Sequence, residues 1–174
     1  MSKNQMKQIK IGKVVVNMGV GSSGEELINA EKIIEEITGQ EPIRTEAKQT
    51  LPNFGIREGE PIGCKVTLRD KKAKQFLTKA LEVNRKQIKE KSIDKHGNFS
   101  FGIEEHTNFP EMEYDPSIGI FGLDISVRLK RPGYRVEEKS DQKEIPKNHK
   151  ISPEETIQFL EKEFDLEVVK EDEQ

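Results

Sequence analysis

The 174-residue chain has one cysteine, no tryptophan, two tyrosines and three histidines. A lone cysteine, Cys64, excludes an intrachain disulfide and a thiolate metal cluster, so neither a disulfide scaffold nor a zinc finger fits. Apolar residues are sparse too: 32% of the chain, against roughly 45–50%, glycine included, in an average globular protein. No run approaches the ~18–20 apolar residues that cross a bilayer. The opening MSKNQMKQIK has no apolar signal-peptide core, and a cytoplasmic protein with no membrane partner is expected. Charge is abundant, 35% of residues against about 25% typically. The length suits one unit, since ~100–150 residues is the usual domain size. The expected division is a core over about 9–130 and an arm with a short helix over about 131–174.

The net charge of −3 hides a partition. Residues 1–92 hold 18 Lys+Arg against 12 Asp+Glu, and residues 93–174 hold 11 against 20. The basic excess peaks between Lys65 and Lys91, where ten basic residues accompany three acidic ones. A polyanion responds to a local field screened over ~8–10 Å, not to total charge. A lysine-rich helix is often just a solvated face, but the asymmetry between halves points to a nucleic-acid surface in the first half.

Apolar spacing outlines the elements. Ile9 to Val20 reads as a strand around Val14-Val15-Val16, followed by a glycine turn and a helix to Thr38 capped by Ser22 or Ser23. Gly39 stands where a helix-ending glycine belongs. Pro42 to Gln49 is polar and extended, Leu51 to Gly55 a loop tip. In Pro61 to Arg69, Cys64, Val66 and Leu68 alternate with Lys65, Thr67 and Arg69, which predicts one apolar face and one face of donors. Asp70 is expected to cap a helix from Lys71 to about Glu90, with Ile88 on its buried stripe. Two strands follow, around Phe99 to Ile103 and Phe121 to Leu129, separated by an irregular loop from His106 to Gly119. After Arg131-Pro132-Gly133 the polar stretch to Lys150 reads as a mobile arm or extended connection. Ser152 to Glu155 then carries a capping box for a helix with Ile157, Leu160 and Phe164 on its apolar side. The order of elements indicates an α+β fold with a mainly antiparallel sheet.

Three chemical readings are open. Gly19-Val20-Gly21-Ser22-Ser23-Gly24 matches the G-x-G-x-x-G loop that cradles a pyrophosphate, and a dinucleotide-binding enzyme is its consequence. That fold needs an apolar parallel strand after the helix, and Pro-Ile-Arg-Thr-Glu-Ala-Lys-Gln is too polar for one. His106 beside Glu104 and Glu105 could hint at metal, but neighbours on a strand face opposite ways and two ligands do not hold an ion; no metal site is expected. His96 and His149 read as solvated turn residues and Cys64 as a small buried hydrophobe. Nothing forms a nucleophile–base arrangement, leaving a non-enzymatic adaptor or an RNA-binding domain. Asn17, Lys48, Gln49, Lys65, Thr67 and Arg69, on or next to strands that could form one sheet, favour RNA: amides, hydroxyls and cations on a sheet face suit the wide RNA minor groove with its 2′-hydroxyls and phosphates.

The motifs themselves carry a resemblance. Asn17-Met18-Gly19-Val20-Gly21, Arg57-Glu58-Gly59 with Pro61 to Arg69, and Gly97-Asn98 with Phe101-Gly102-Ile103 occur in that order. Phe109-Pro110-Glu111 with Tyr114-Asp115 and Gly122-Leu123-Asp124-Ile125 follow. From about Ile9 to Leu129 the chain closely resembles the large-subunit ribosomal protein L-five family, the universal family that holds 5S ribosomal RNA. Its tail resembles the archaeal and eukaryotic branch, and the helix that bacterial members carry before the first strand is missing. The resemblance implies an antiparallel sheet with helices on one face and the open face toward RNA, no enzyme activity and no cofactor. It implies a place in the central protuberance of the large subunit. Partners there are 5S rRNA, 23S-type rRNA, neighbouring large-subunit proteins, P-site tRNA and a small-subunit bridge protein. Carried over by motif, the rRNA contacts fall on Asn17, Gln40, Phe54 and Thr67, with Lys48, Lys65 and Arg69 meeting phosphates. The loop Thr50, Leu51, Pro52, Asn53, Phe54, Gly55, Ile56 and Arg57 matches the family loop that approaches tRNA, and is expected to be mobile until RNA orders it. Its alternative is that Leu51, Phe54 and Ile56 tuck back onto the body. With pI ≈ 5.8, binding is expected to rest on the N-terminal patch and not on the whole surface.

Overall fold

In the computed structural model, which describes residues 4–110, 112, 115–137, 139 and 144–169, the valine run lies in a ten-residue strand, β1 (Lys10–Gly19). The chain continues through α1 (Glu25–Thr38), β2 (Ile43–Glu46), β3 (Pro61–Leu68) and α2 (Asp70–Val83). Then come β4 (Gln87–Lys89), β5 (Phe99–Ile103), β6 (Leu123–Lys130), α3 (Pro153–Phe164) and β7 (Glu167–Val169). Five strands form an antiparallel sheet in the order β2-β3-β1-β6-β5, and β4 pairs in parallel with β7. The fold is α+β, as expected. Glu111 and Tyr114 of the recognised motifs, and positions 138 and 140–143 of the polar arm, lie outside the described residues.

Strand alternation decides which face is covered. Val14, Val16 and Met18 of β1, Cys64, Val66 and Leu68 of β3, and Leu123, Ile125, Val127 and Leu129 of β6 are buried in one cluster. Leu27, Ile33, Ile34 and Ile37 of α1 and Phe76, Leu77 and Leu81 of α2 join it, so both helices pack on that face. Each such side chain contributes about 1.5–3 kcal/mol of burial. On the opposite face Val15, Asn17, Lys65, Thr67, Asp124, Ser126 and Ser100 are half-buried or exposed, and among the described residues no helix covers this open face.

Several expectations are corrected. α2 stops at Val83, not near Glu90. Arg85 and Lys86 both take left-handed backbone conformations, φ 56° and 54°, which breaks the helix and sends Ile88 into β4, still buried. Ile88 lies seven residues after Leu81, so it prolongs a helical stripe on paper while being a strand residue in fact. Neither serine caps α1: Gly24 occupies the cap, Ser22 bonds Glu26, and Ser23 donates to Glu60 at 2.8 Å. Asp70 begins α2 without capping it, at φ 53°. Where described, the arm is tied down. Tyr134 and His149 stack edge-on, the tyrosine hydroxyl donates to the His149 carbonyl and accepts from the Ile151 amide, and Ile145 is buried. His149 is therefore half-buried and bonded to the Pro132 carbonyl at 2.8 Å, not a solvated turn residue. The capping box of α3 is present, but Thr156, not Ile157, is buried beside Leu160 and Phe164. Its hydroxyl donates to the Gly97 carbonyl at 3.0 Å. That approach leaves no room at Gly97, where a Cβ would stand 2.6 Å from Thr156 Oγ1.

Candidate nucleic-acid interface

Register assembles the open face from residues far apart in sequence. Asn17 of β1 pairs with Lys65 of β3 on one side and with Asp124 of β6 on the other; Ile43 of β2 and Gly102 of β5 complete that row. The next row runs Thr67, Val15, Ser126, Ser100. One row is thus amide and charge, the next mainly hydroxyl. Small residues keep the surface shallow; at Gly63 a Cβ would meet the Met18 carbonyl oxygen at 2.7 Å.

The expected contact residues distribute as follows. Asn17, Lys65 and Thr67 share the open face, and Arg69 follows β3 in an extended conformation, exposed. Gln40, just past α1, is brought to them: its side-chain amide donates to the Thr67 carbonyl at 3.3 Å. Lys48 and Gln49 are exposed in a bend beyond β2, not on a strand. Phe54 stands outside this group at the loop tip, 75% exposed.

The loop 50–57 is a closed tip. Leu51 and Ile56 exchange backbone hydrogen bonds at 2.8 and 3.2 Å, and Gly55 closes the turn at φ 69°. The Glu60 carboxylate accepts from the Arg57 amide and the Ser23 hydroxyl, anchoring the loop's root to the turn before α1. Those bonds hold the Glu60 carboxyl below its ordinary value. Leu51 and Phe54 project outward and do not tuck back.

The charge is arranged differently from its place in the sequence. The basic window from Lys65 to Lys91 does not form one patch. Lys65 and Arg69 belong with the open face, but Lys71, Lys72, Lys74 and Lys79 sit on α2, across the sheet. There Lys72 donates to the Gly39 carbonyl at 3.1 Å and Lys74 pairs with Glu163 at 2.9 Å. Sequence reasoning missed Ser126, Arg128 and Lys130 of β6, which share the open face. The same two-residue alternation that exposed Lys65 and Thr67 would have found them.

The other sites read from the sequence resolve into structural roles. The glycine loop connects β1 to α1, and the sheet beside it is antiparallel throughout, which a dinucleotide fold cannot be. His106 is buried, its Nδ1 accepting from the Phe121 amide at 3.2 Å. Among the described residues no three His, Cys, Asp or Glu side chains are grouped to hold a metal. Cys64 is fully buried, which pushes its thiol up to about 11 and leaves it inert.

Comparison with known proteins identifies the family. Residues 4–57 match the family described as ribosomal protein L5, and residues 61–161 match the model for the C-terminus of the same ribosomal family. The large ribosomal subunit protein uL5 of Methanococcoides burtonii is 53% identical over 95% of this chain and 98% of its own length. Its counterpart from Methanoregula boonei is 54% identical over 94% of this chain and 99% of its own, and that of Methanoculleus marisnigri 51% over 94% and 98%.

Proposed function

The chain belongs to the ribosomal protein L5 family, and from that premise we propose that it is a structural component of the large ribosomal subunit that holds 5S rRNA on its open sheet face. It is not an enzyme; its work is binding. The observation that carries the reading is the gathering of Asn17, Lys65 and Thr67 on one face of the sheet, with the helices packed on the other and Gln40 bonded to the Thr67 carbonyl. Amides and a hydroxyl there suit 2′-hydroxyls and base edges of a wide minor groove, and Lys65 and Arg69 suit phosphates. The chain acts as one RNA-binding unit in the cytoplasmic ribosome, at the central protuberance. It contacts 23S-type rRNA and neighbouring subunit proteins, touches P-site tRNA through the loop 50–57, and contributes to the bridge with a small-subunit protein. The loop's support for this is chemical: Phe54 and Leu51 offer apolar surface to a base and Arg57 offers a cation.

Isolation of the protein from its own cells tests the reading. 5S rRNA should be the RNA recovered, and binding to the purified RNA should weaken with salt. If about four phosphates are neutralised, the slope of log K against log salt is near −3 to −4. Recovery without RNA, or salt-independent binding, would overturn it.

A further inference from the structure

At the end of the sheet away from the loop 50–57, the strands set like charges directly against each other. Lys10 of β1 pairs with Lys130 of β6, and Lys13 pairs with Arg128. Arg69 stands one residue beyond the Val14–Leu68 pair, which brings it beside Lys13. Opposed like charges on a sheet destabilise it, and two such pairs in sequence call for a reason. A bulge makes them: Gly12 is the extra residue between Ile11 and Lys13, and it puts both lysines of β1 on the face of Arg128 and Lys130. The bulge also has no room for a side chain, since a Cβ on Gly12 would stand 2.9 Å from the Arg128 carbonyl oxygen and 3.3 Å from the Lys130 stem.

Lys13, Arg69, Arg128, Lys130 and Arg135 line a cleft of about 270 Å³, floored by Gly12, and its lining contains no carboxylate. Glu137 pairs with Arg128 at 2.7 Å from outside that lining. The buried Arg131 at its margin is paired with Glu155 at 2.6 Å. Among the described residues Lys13, Arg69, Lys130 and Arg135 have no ion-pair partner. Four cations with no ion-pair partner among the described residues, around a pocket of that size, suit an anion. Its continuity with the row Thr67-Val15-Ser126 selects a polymer that crosses the sheet over a small free anion.

We propose that this cleft is a second RNA site, which grips successive backbone phosphates of a strand leaving the open sheet face; the inference rests on the RNA-binding reading above. Phosphates would relieve the repulsion between the opposed cations, so the cleft, and not the lysines of α2, supplies most of the salt dependence. The arrangement is chemically selective for the backbone and carries no sequence information.

The test compares Lys13→Gln/Lys130→Gln with the control Lys32→Gln/Lys71→Gln, which removes two exposed charges from the helix layer. Binding of purified 5S rRNA is measured over a salt series, with inorganic tripolyphosphate as competitor. The cleft variant should lose about two units of salt slope and about ten- to thirtyfold in affinity near physiological salt, and Lys13→Arg/Lys130→Arg should recover both. Its thermal unfolding midpoint should be equal to or above that of the unmodified protein, because repulsion has been removed. Equal slopes for the cleft variant and the unmodified protein would overturn the second site while leaving the RNA-binding reading intact. Tight tripolyphosphate binding that leaves the RNA slope unchanged would also overturn it, marking a small-anion pocket. If the unmodified protein fails to bind 5S rRNA at all, the RNA-binding reading falls, and this inference with it.

Discussion

At the scale of residues, adjacent positions on β3 face opposite ways. Val66 is buried in the core, whereas Thr67 lies half-buried on the open face with its carbonyl engaged by Gln40. Thr67→Ala should leave the unfolding midpoint nearly unchanged and weaken 5S rRNA binding by about 1–2 kcal/mol, the scale of one hydrogen bond. Val66→Ala should cost about 1–3 kcal/mol of stability and leave binding intact once the protein is folded. Titration of RNA binding and thermal melts on both variants checks the pair; a reversed pattern would mean the strand presents its other face. This division was legible in the sequence because a strand's period is two and the apolar and donor residues alternate without error. Gln40 was reached by resemblance alone, since a glutamine after a helix carries no pattern that foretells a bond to a strand 27 residues away.

At the scale of elements, the helices and strands follow apolar periodicity, and the misreadings occur where backbone conformation or long-range contact takes over. The end of α2 depends on two consecutive left-handed residues, which no apolar count reveals. The docking of α3 depends on Arg131, whose guanidinium reaches the His149 and Lys150 carbonyls and the Glu155 carboxylate. Burial pushes the Glu155 carboxyl up, but the Ser152 amide and Arg131 outweigh it and hold the group below its ordinary 4.5. Because the folded value is the lower one, this contribution is full above about pH 4.5 and is lost as pH falls through the folded value. Urea-unfolding midpoints between pH 6 and pH 3 should therefore fall more steeply for the unmodified protein than for Glu155→Gln; parallel curves would contradict the clamp. The loop 50–57 closes on its own hydrogen bonds, so replacing Leu51 to Gly55 by a short glycine link should leave the fold stable. The 5S rRNA complex should weaken but remain detectable. Ribosomes carrying that variant should release P-site tRNA faster, and an unchanged off-rate would show that the loop has no part in holding it.

At the scale of the whole molecule, the sheet separates two surfaces of different composition. The helix layer carries the core and much of the lysine-rich window, with Lys74 paired and Lys72 bonded. The open face gathers donors and cations from β1, β3 and β6. Total charge is therefore a poor guide: a chain with pI ≈ 5.8 still presents, where the strands end, cations that have no ion-pair partner among the described residues, and charge acts over about one screening length. The sheet and its covered face could be read from alternation, and the family from its motifs. Gly12 and the cation pairs could not, because a bulge shifts register by one residue and only the partner strand reveals it. The central claim is that RNA meets the open sheet face and the helix layer stays free. The most direct measurement is a residue-resolved footprint, recording amide chemical shifts of the protein with and without purified 5S rRNA. Perturbations are expected at Asn17, Lys65, Thr67, Ser126 and Arg128, with the exposed positions of α1 and α2 unmoved. Perturbations confined to α1 and α2, with the open face silent, would contradict the claim.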